Sequence, residues 1–430
     1  MTRRPGALLC FVALSAARLA LGQPLGVEFR ANTFTTSSQD VPKVAALSGG
    51  GFVVVWYSDL LDGNDYGVFA QRFDGAATPL GGELRVNTFT TASQRNPAVA
   101  SLSTGGFVVA WASRSQDGDS LGIFGQRFDA AGSPAGAEFA ISVFTTGDQD
   151  LPSLAALSSG DFVVAWQSAS VDGSGTNVVI RRFTSAGPPA AGELVVNTFT
   201  SGEQTHAAVA AAGSGDFVVV WQSAAQDSSG YTVAGQRFSS AGPPLGPEFR
   251  VNAYTSNDQE EPAVAVGANG DFVVAFTSYG ADGAQRGIAA RRFASSGAPY
   301  GGDFVVNSFT TSFQYEPAVA IGPGGEFVVA WVGDLLDGNI QGLIGRRFDA
   351  LANPLGEDFV FNTYSTSNQC DPSLAFTSGG EFVAVWASFL EDGSNYGVYG
   401  RRNAAACPAD ATAPTVTAPA DLVTTQTLCQ

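Results

Sequence analysis

The hexapeptide GFVVVW at Gly51 to Trp56 returns with small changes every 55 residues until the chain ends. Its copies are GFVVAW at Gly106 to Trp111, DFVVAW at Asp161 to Trp166, DFVVVW at Asp216 to Trp221, DFVVAF at Asp271 to Phe276, EFVVAW at Glu326 to Trp331 and EFVAVW at Glu381 to Trp386. All six tryptophans of the chain hold the last place of the motif, and Phe276 takes it in the fifth copy. A fixed period of this length marks a stacked or ring-shaped repeat, in which one supersecondary unit buries its faces only against its neighbours.

Around the hexapeptide each unit carries four short segments of strand character, separated by Gly, Pro, Asp and Ser clusters. In the second unit they are Pro97 to Leu102 (A), Phe107 to Trp111 (B), Gly122 to Phe128 (C) and Glu138 to Ser142 (D). Strand B is apolar on both faces, a pattern that demands cover on both sides of its sheet. Strand D alternates, as in Glu193 to Asn197, and suits an outer edge. Radially repeated four-stranded antiparallel sheets make a β-propeller. Seven units predict an all-β, seven-bladed ring over residues 23 to 403. The chain enters on a D-type strand, Val27 to Asn32, and the last unit stops at a C-type strand, Gly397 to Arg402. The leading strand is expected to complete the last blade and close the circle, because an open solenoid would leave unpaired edges.

The segments GGFVVVW, GQRF and EFxVN resemble the repeats of secreted bacterial β-propellers over residues 26 to 403. The resemblance implies the fold and no particular activity. The WD dipeptide of WD40 blades and the GGxGxDxUx calcium repeat are both missing. After Asn403 the repeat dissolves into Ala, Pro and Thr, and Ala413 to Val423 resembles the opening strand of HYR-type immunoglobulin-like modules. Residues 404 to 430 therefore read as a linker or the start of a truncated module of that kind.

Residues 1 to 22 read as a secretory signal: Arg3 and Arg4, the apolar run Ala7 to Leu14, then Ala20 and Gly22 before a cut ahead of Gln23. The apolar run is too short for a membrane anchor. Without that segment 18 basic residues face 39 acidic ones, a charge of -21. With one lysine, Lys43, and no basic block, the chain is ill suited to a nucleic-acid backbone. A secreted or cell-surface location is expected, with no membrane insertion. Of the cysteines that remain, Cys370 belongs near one face and Cys407 near the other, so Cys407 with Cys429 is the better disulfide pair.

Chain direction alternates within a blade. The D-to-A and B-to-C connections thus share one face of the disc, and both are long and polar, as in Thr33 to Val41 and Tyr57 to Tyr66. Long loops on a rigid scaffold are the usual seat of binding. Two residues recur there in every copy. Gln39, Gln94, Gln149, Gln204, Gln259, Gln314 and Gln369 could offer amides to a glycan or peptide, or could satisfy their own loops and lock adjacent blades. The B-to-C loops each hold an aspartate, followed by Gly in all but one copy, which suits a turn. Asp62, Asp117 and Asp337 are also candidates for Ca²⁺, which wants about six to eight oxygens. No other cofactor is expected.

Each C strand carries an arginine and each D strand opens on an acid, so cross-strand ion pairs are expected, with Arg402 meeting Glu28 at the closure. Catalysis needs an asymmetric constellation that a seven-fold pattern does not supply. The lone histidine, His206, stands with Ala207 where other copies place a varied residue before Pro. A binding or adhesion module that meets a glycan or extracellular protein through its long-loop face is expected. A polysaccharide-acting propeller enzyme and a structural spacer are the alternatives.

Overall fold

The computed structural model describes residues 20–21 and 24–404, apart from 170, 172, 284 and 335–339. Seven four-stranded antiparallel blades form a closed β-propeller, with no helix among the described residues. Blade 1 shows the pattern: A, Gln39–Ala46; B, Phe52–Asp59; C, Tyr66–Phe73; D, Leu84–Arg85. The A strands stand innermost, around the axis.

Local chemistry fixes each blade. At the A-to-B turn Leu47 N donates to Gly51 O at 2.8 Å, and Gly50 takes a φ of 85°. A glycine holds this place in every blade, with φ between 80° and 88°, a region other residues enter only under strain. Strands B and C then pair so that Phe52 lies opposite Phe73, their rings stacked 5.0 Å apart.

Burial between blades supplies the core. Val53, Val54, Val55 and Trp56 are all 0% exposed, as the doubly apolar B strand requires. Trp111 packs on Val53, Val55, Val68 and Ala70 of the preceding blade. Phe276 fills the equivalent place in blade 5 and is as fully buried as the tryptophans.

The circle shuts as the chain ends predict. Phe29–Arg30 pairs antiparallel with Tyr396–Asn403, Phe29 lying opposite Gly400. Ala31 N donates to Val398 O at 2.8 Å and Leu25 N to Arg402 O at 2.9 Å. At the axis Val44 N donates to Ser373 Oγ at 3.2 Å, joining blade 1 to blade 7. Ala20–Leu21, within the expected leader, lies parallel to Phe359–Val360 at the edge of blade 6. Cys407, Cys429 and the segment Ala413 to Val423 lie outside the described residues.

The expected ion pair at the closure does not form. The register that sets Phe29 opposite Gly400 sets Glu28 opposite Arg401, so the side chain of Arg402 falls on the other face of the strand. Arg402 instead meets Glu381 at 2.6 Å. The same one-residue offset holds elsewhere: Arg291 and Arg346, not Arg292 and Arg347, approach the D-strand acids Asp303 and Asp358 at 4.0 and 3.6 Å. The repeated arginine reaches forward to the next blade, as Arg127 Nη1 does to Ser185 O at 2.9 Å. The repeated acid reaches back, as Glu28 Oε2 does in accepting from Thr363 N and Oγ1, both at 2.8 Å. Both residues therefore tie blades together, but not to each other.

Candidate functional site: the rim of the central channel

The A strands of all seven blades line an axial channel enclosing about 540 Å³. Each A strand breaks register just after it begins, between Asp40 and Lys43 in blade 1. The residue inside that bulge takes a left-handed backbone, and it is a different residue in nearly every blade: Val41, Asn96, Leu151, His206, Glu261, Glu316 and Asp371, with φ from 49° to 55°. A left-handed non-glycine residue is uncommon, and seven in a ring are a structural signature. All seven line the channel. They stand at the long-loop end, where strand A starts, B ends and C begins.

This rim is chemically lopsided. Blades 5, 6, 7 and 1 bring Glu261, Glu316, Asp371 and Asp40 into one arc. A relay of hydrogen bonds joins its members: Glu316 N donates to Glu261 Oε2 at 3.0 Å, and Asp371 N donates to Glu316 Oε2 at 3.3 Å. Burial, and then the negative charge of Asp371, push Asp40 up to about 7. The same two causes push Glu316 up to about 7, against the pull of Lys43. Protonation of this arc therefore changes near neutral pH. Burial and the surrounding acids also hold the Cys370 thiol well above its usual pKa, which keeps it protonated and poorly nucleophilic.

Aromatic rings frame the acidic arc. Tyr57 and Tyr66 meet edge to face at 5.0 Å, and Phe389 and Tyr396 lie 5.0 Å apart. The Arg286 guanidinium sits 4.7 Å from the Tyr279 ring and 5.8 Å from that of Tyr315, and pairs with Glu260 at 3.2 Å. The opposite arc carries Arg95, paired to Asp150 at 3.1 Å, with Asn96, Leu151 and His206. A smaller cleft of about 270 Å³ opens between the tight turns of blades 4 and 5. It is lined largely by the repeated turn residues and has less of its own chemistry.

The repeated glutamines lie behind this rim. Gln39, Gln94, Gln149, Gln204, Gln259, Gln314 and Gln369 are each 0% exposed. Gln39 Oε1 accepts from Asn32 Nδ2 at 3.0 Å, while its Nε2 donates to Thr36 O at 3.0 Å. Gln94 repeats both bonds with Asn87 and Thr91. In blade 3 Ser142 replaces the asparagine, and Gln149 Oε1 is left without a donor. In blade 4 Trp221 Nε1 donates to Gln204 Oε1 at 3.3 Å. The amides are spent on locking the D-to-A loop.

The loop aspartates make turns. Asp62 Oδ1 accepts from Asn64 N at 3.3 Å and its Oδ2 from Asn87 Nδ2 at 3.2 Å. Asp117 Oδ1 accepts from Asp119 N at 3.2 Å. Asp337 lies outside the described residues. Among the described residues, the cluster with three metal-capable side chains is Asp40, Cys370 and Asp371, whose ligand atoms lie within 4.8 Å of one another. It includes neither Asp62 nor Asp117, and its thiol is a poor partner for a hard cation.

The sequence reading missed the rim. Its one signal was a two-residue stretch in each period, before Pro in all copies but the fourth, where the residue types keep changing after the constant glutamine.

These features define the class: a seven-bladed β-propeller with an asymmetric rim at one mouth of its channel. No family model and no curated relative matches the chain. Solved structures do. A protein of unknown function from Dyadobacter fermentans aligns at 11% identity over 87% of this chain and 97% of its own, with a TM-score of 0.53. The polysaccharide lyase Uly1 aligns at 9% identity over 90% of this chain and 100% of its own, also at 0.53. A fungal alcohol oxidase of the AA5 family, in complex with copper, aligns at 13% identity over 89% of this chain and 76% of its own, at 0.52. At such identities the likeness establishes the fold.

Proposed function

We propose that the protein is an exported binding module that takes a glycan at the long-loop mouth of its channel. The observation that carries this reading is the rim: seven side chains of six types, held in strained left-handed bulges around a cavity. Strain persists where the surroundings over-determine it, and it clusters at functional sites. Tyrosines beside carboxylates suit a sugar, offering an apolar ring for its carbon face and acceptors for its hydroxyls. The acidic arc disfavours uronates and sulfated chains, so the ligand is a neutral or amine-bearing saccharide. An extracellular protein partner would use the same face.

A second reading, polysaccharide cleavage, draws on Asp40 and Glu316, which stay partly protonated near pH 7 beside further carboxyl groups. Glycoside chemistry uses such a pairing. Asp40 and Asp371, however, lie close enough to interact directly rather than to flank a glycosidic oxygen.

A glycan array, followed by titration of the hits and hydrolysis assays on the same sample, separates these readings. Saturable binding that falls tenfold or more in the Tyr57→Ala and Glu261→Ala variants, without turnover, supports the first. Turnover supports the second. Binding that ignores both substitutions would move the site off the rim. Calcium at the B-to-C loops has its own check, melting with and without a chelator.

A further inference from the structure

The strand that closes the ring is anchored differently from those of blades 2 and 4, the place in question being held by Leu61, Val171 and Ala281 in blades 1, 3 and 5. In blade 2 Gln116 Nε2 donates to Glu138 Oε1 at 2.5 Å, and in blade 4 Gln226 Nε2 donates to Glu248 Oε1 at 2.6 Å. The other oxygen of each acid accepts from a threonine of the preceding blade, Thr88 or Thr198. At the closure Glu28 keeps the threonine bond, to Thr363. The place of the glutamine is taken by Glu391, which meets Glu28 side chain to side chain.

An ionised carboxylate only accepts hydrogen bonds. Glu28 Oε1 and Glu391 Oε2 are both buried, and neither has a donor. One proton between them satisfies both. We propose that a carboxylic acid on Glu391 replaces the glutamine amide as the donor to Glu28, so that the joint closing the ring is held by a proton and loosens as that proton leaves.

The surroundings agree. Burial first, then the contact with Glu28 and the charges of Glu28 and Asp392, push Glu391 up to about 8, against the opposing pull of the Ser388 hydroxyl. Strand C presents Tyr399, which stays neutral at these pH values. It also presents Arg401, which faces Glu28 but whose Nη1 is given to Phe361 O at 2.9 Å. Arg30 lies against Tyr399, next to the pair.

The direction of the effect follows from linkage. An unfolded chain releases the Glu391 proton near pH 4.3. The folded chain holds it to about 8. Between these values the folded state binds more protons, so stability falls as pH rises and levels off above about 8.

The test compares melting of the wild type and Glu391→Gln from pH 5 to pH 9, together with amide exchange corrected for intrinsic rates. The Tm advantage of the variant should grow by a few degrees between pH 5 and pH 8 and stay constant above. In the wild type, protection of the Ala31 amide should drop over that range, while Ile141 and Val251, the equivalent amides beside Gln116 and Gln226, hold theirs. Gln116→Glu should transfer the sensitivity to Ile141. If Glu391→Gln fails to fold, Glu28→Gln serves, and the exchange comparison needs no variant. A Tm gap independent of pH, or an Ala31 amide that tracks Ile141, overturns the proposal.

Discussion

Strand B and the first residues of strand A are hydrogen-bonded neighbours in every blade, with Asp40 opposite Tyr57 in blade 1. The first five residues of strand B scarcely change around the ring. The bulge in strand A changes in almost every blade. The difference lies in what each touches. Strand B is enclosed by adjacent blades on both faces, so each of its side chains must fit a cavity of fixed shape, and close-packed interiors resist changes of volume. The bulge opens onto the channel, where side chains of different size and charge need not fill a cavity of fixed shape. A repeat protein can thus hold its wall constant and write its individuality at the rim.

The sharpest way to break this contrast is to damage the wall. Trp331 is fully buried in the packing between blades 5 and 6. Trp331→Ala should cost about 3–5 kcal/mol. Trp331→Phe, which leaves a much smaller cavity, should cost clearly less than the alanine variant, for two further reasons. Its indole N–H has no acceptor to lose, and blade 5 already folds around Phe276. Denaturant unfolding measures both. A cheap alanine variant would mean that the blades do not depend on this contact.

That asymmetry also explains what could be read in advance. Burial imposes periodicity, so the blade count, the order of strands, the two faces and the closing strand were all legible in the 55-residue spacing. Two things were not. The partner of Glu28 depends on a register that differs by one residue from the expected one, and a single step moves a side chain to the opposite face. The glutamines repeat in polar loops, which fits both a displayed ring and amides that lock their own loops, and spacing alone does not choose between them. Gln39 and Gln94 are met by Asn32 and Asn87, which turn inward from strand D, a tertiary contact that no spacing records. The rim escaped for the converse reason, since a search for repeats passes over the position that does not repeat.

A smaller effect should come from the acidic arc of the rim. Asp40 and Glu316 are both raised to about 7, whereas free carboxyls titrate near 4. The folded state therefore holds protons that the unfolded chain has lost, and these two sites withdraw stability as pH climbs from about 4 to 7. The pair Asp40→Asn with Glu316→Gln should flatten that part of the Tm–pH profile and leave the profile above pH 8 parallel to the wild type. If the double variant keeps the full slope, the acidic arc is not where those protons reside.

The smallest effect concerns the bulge itself, and its sign is opposite. Val41 holds a φ of 49°, which a β-branched residue adopts only at a cost. Asparagine tolerates this region far better. Blade 2 shows that the site accepts it: Asn96 has the same conformation, at 53°, and precedes a proline just as Val41 does. Val41→Asn should therefore raise stability by about 1 kcal/mol, part of the 1–3 kcal/mol that such strain carries. In the wall almost any substitution loses stability, because folding has already fitted those residues to their sites. A gain at Val41 would indicate that this residue serves the channel and not the blade. No gain would place Val41 with the wall, packed by its neighbours in a conformation that its side chain fits after all.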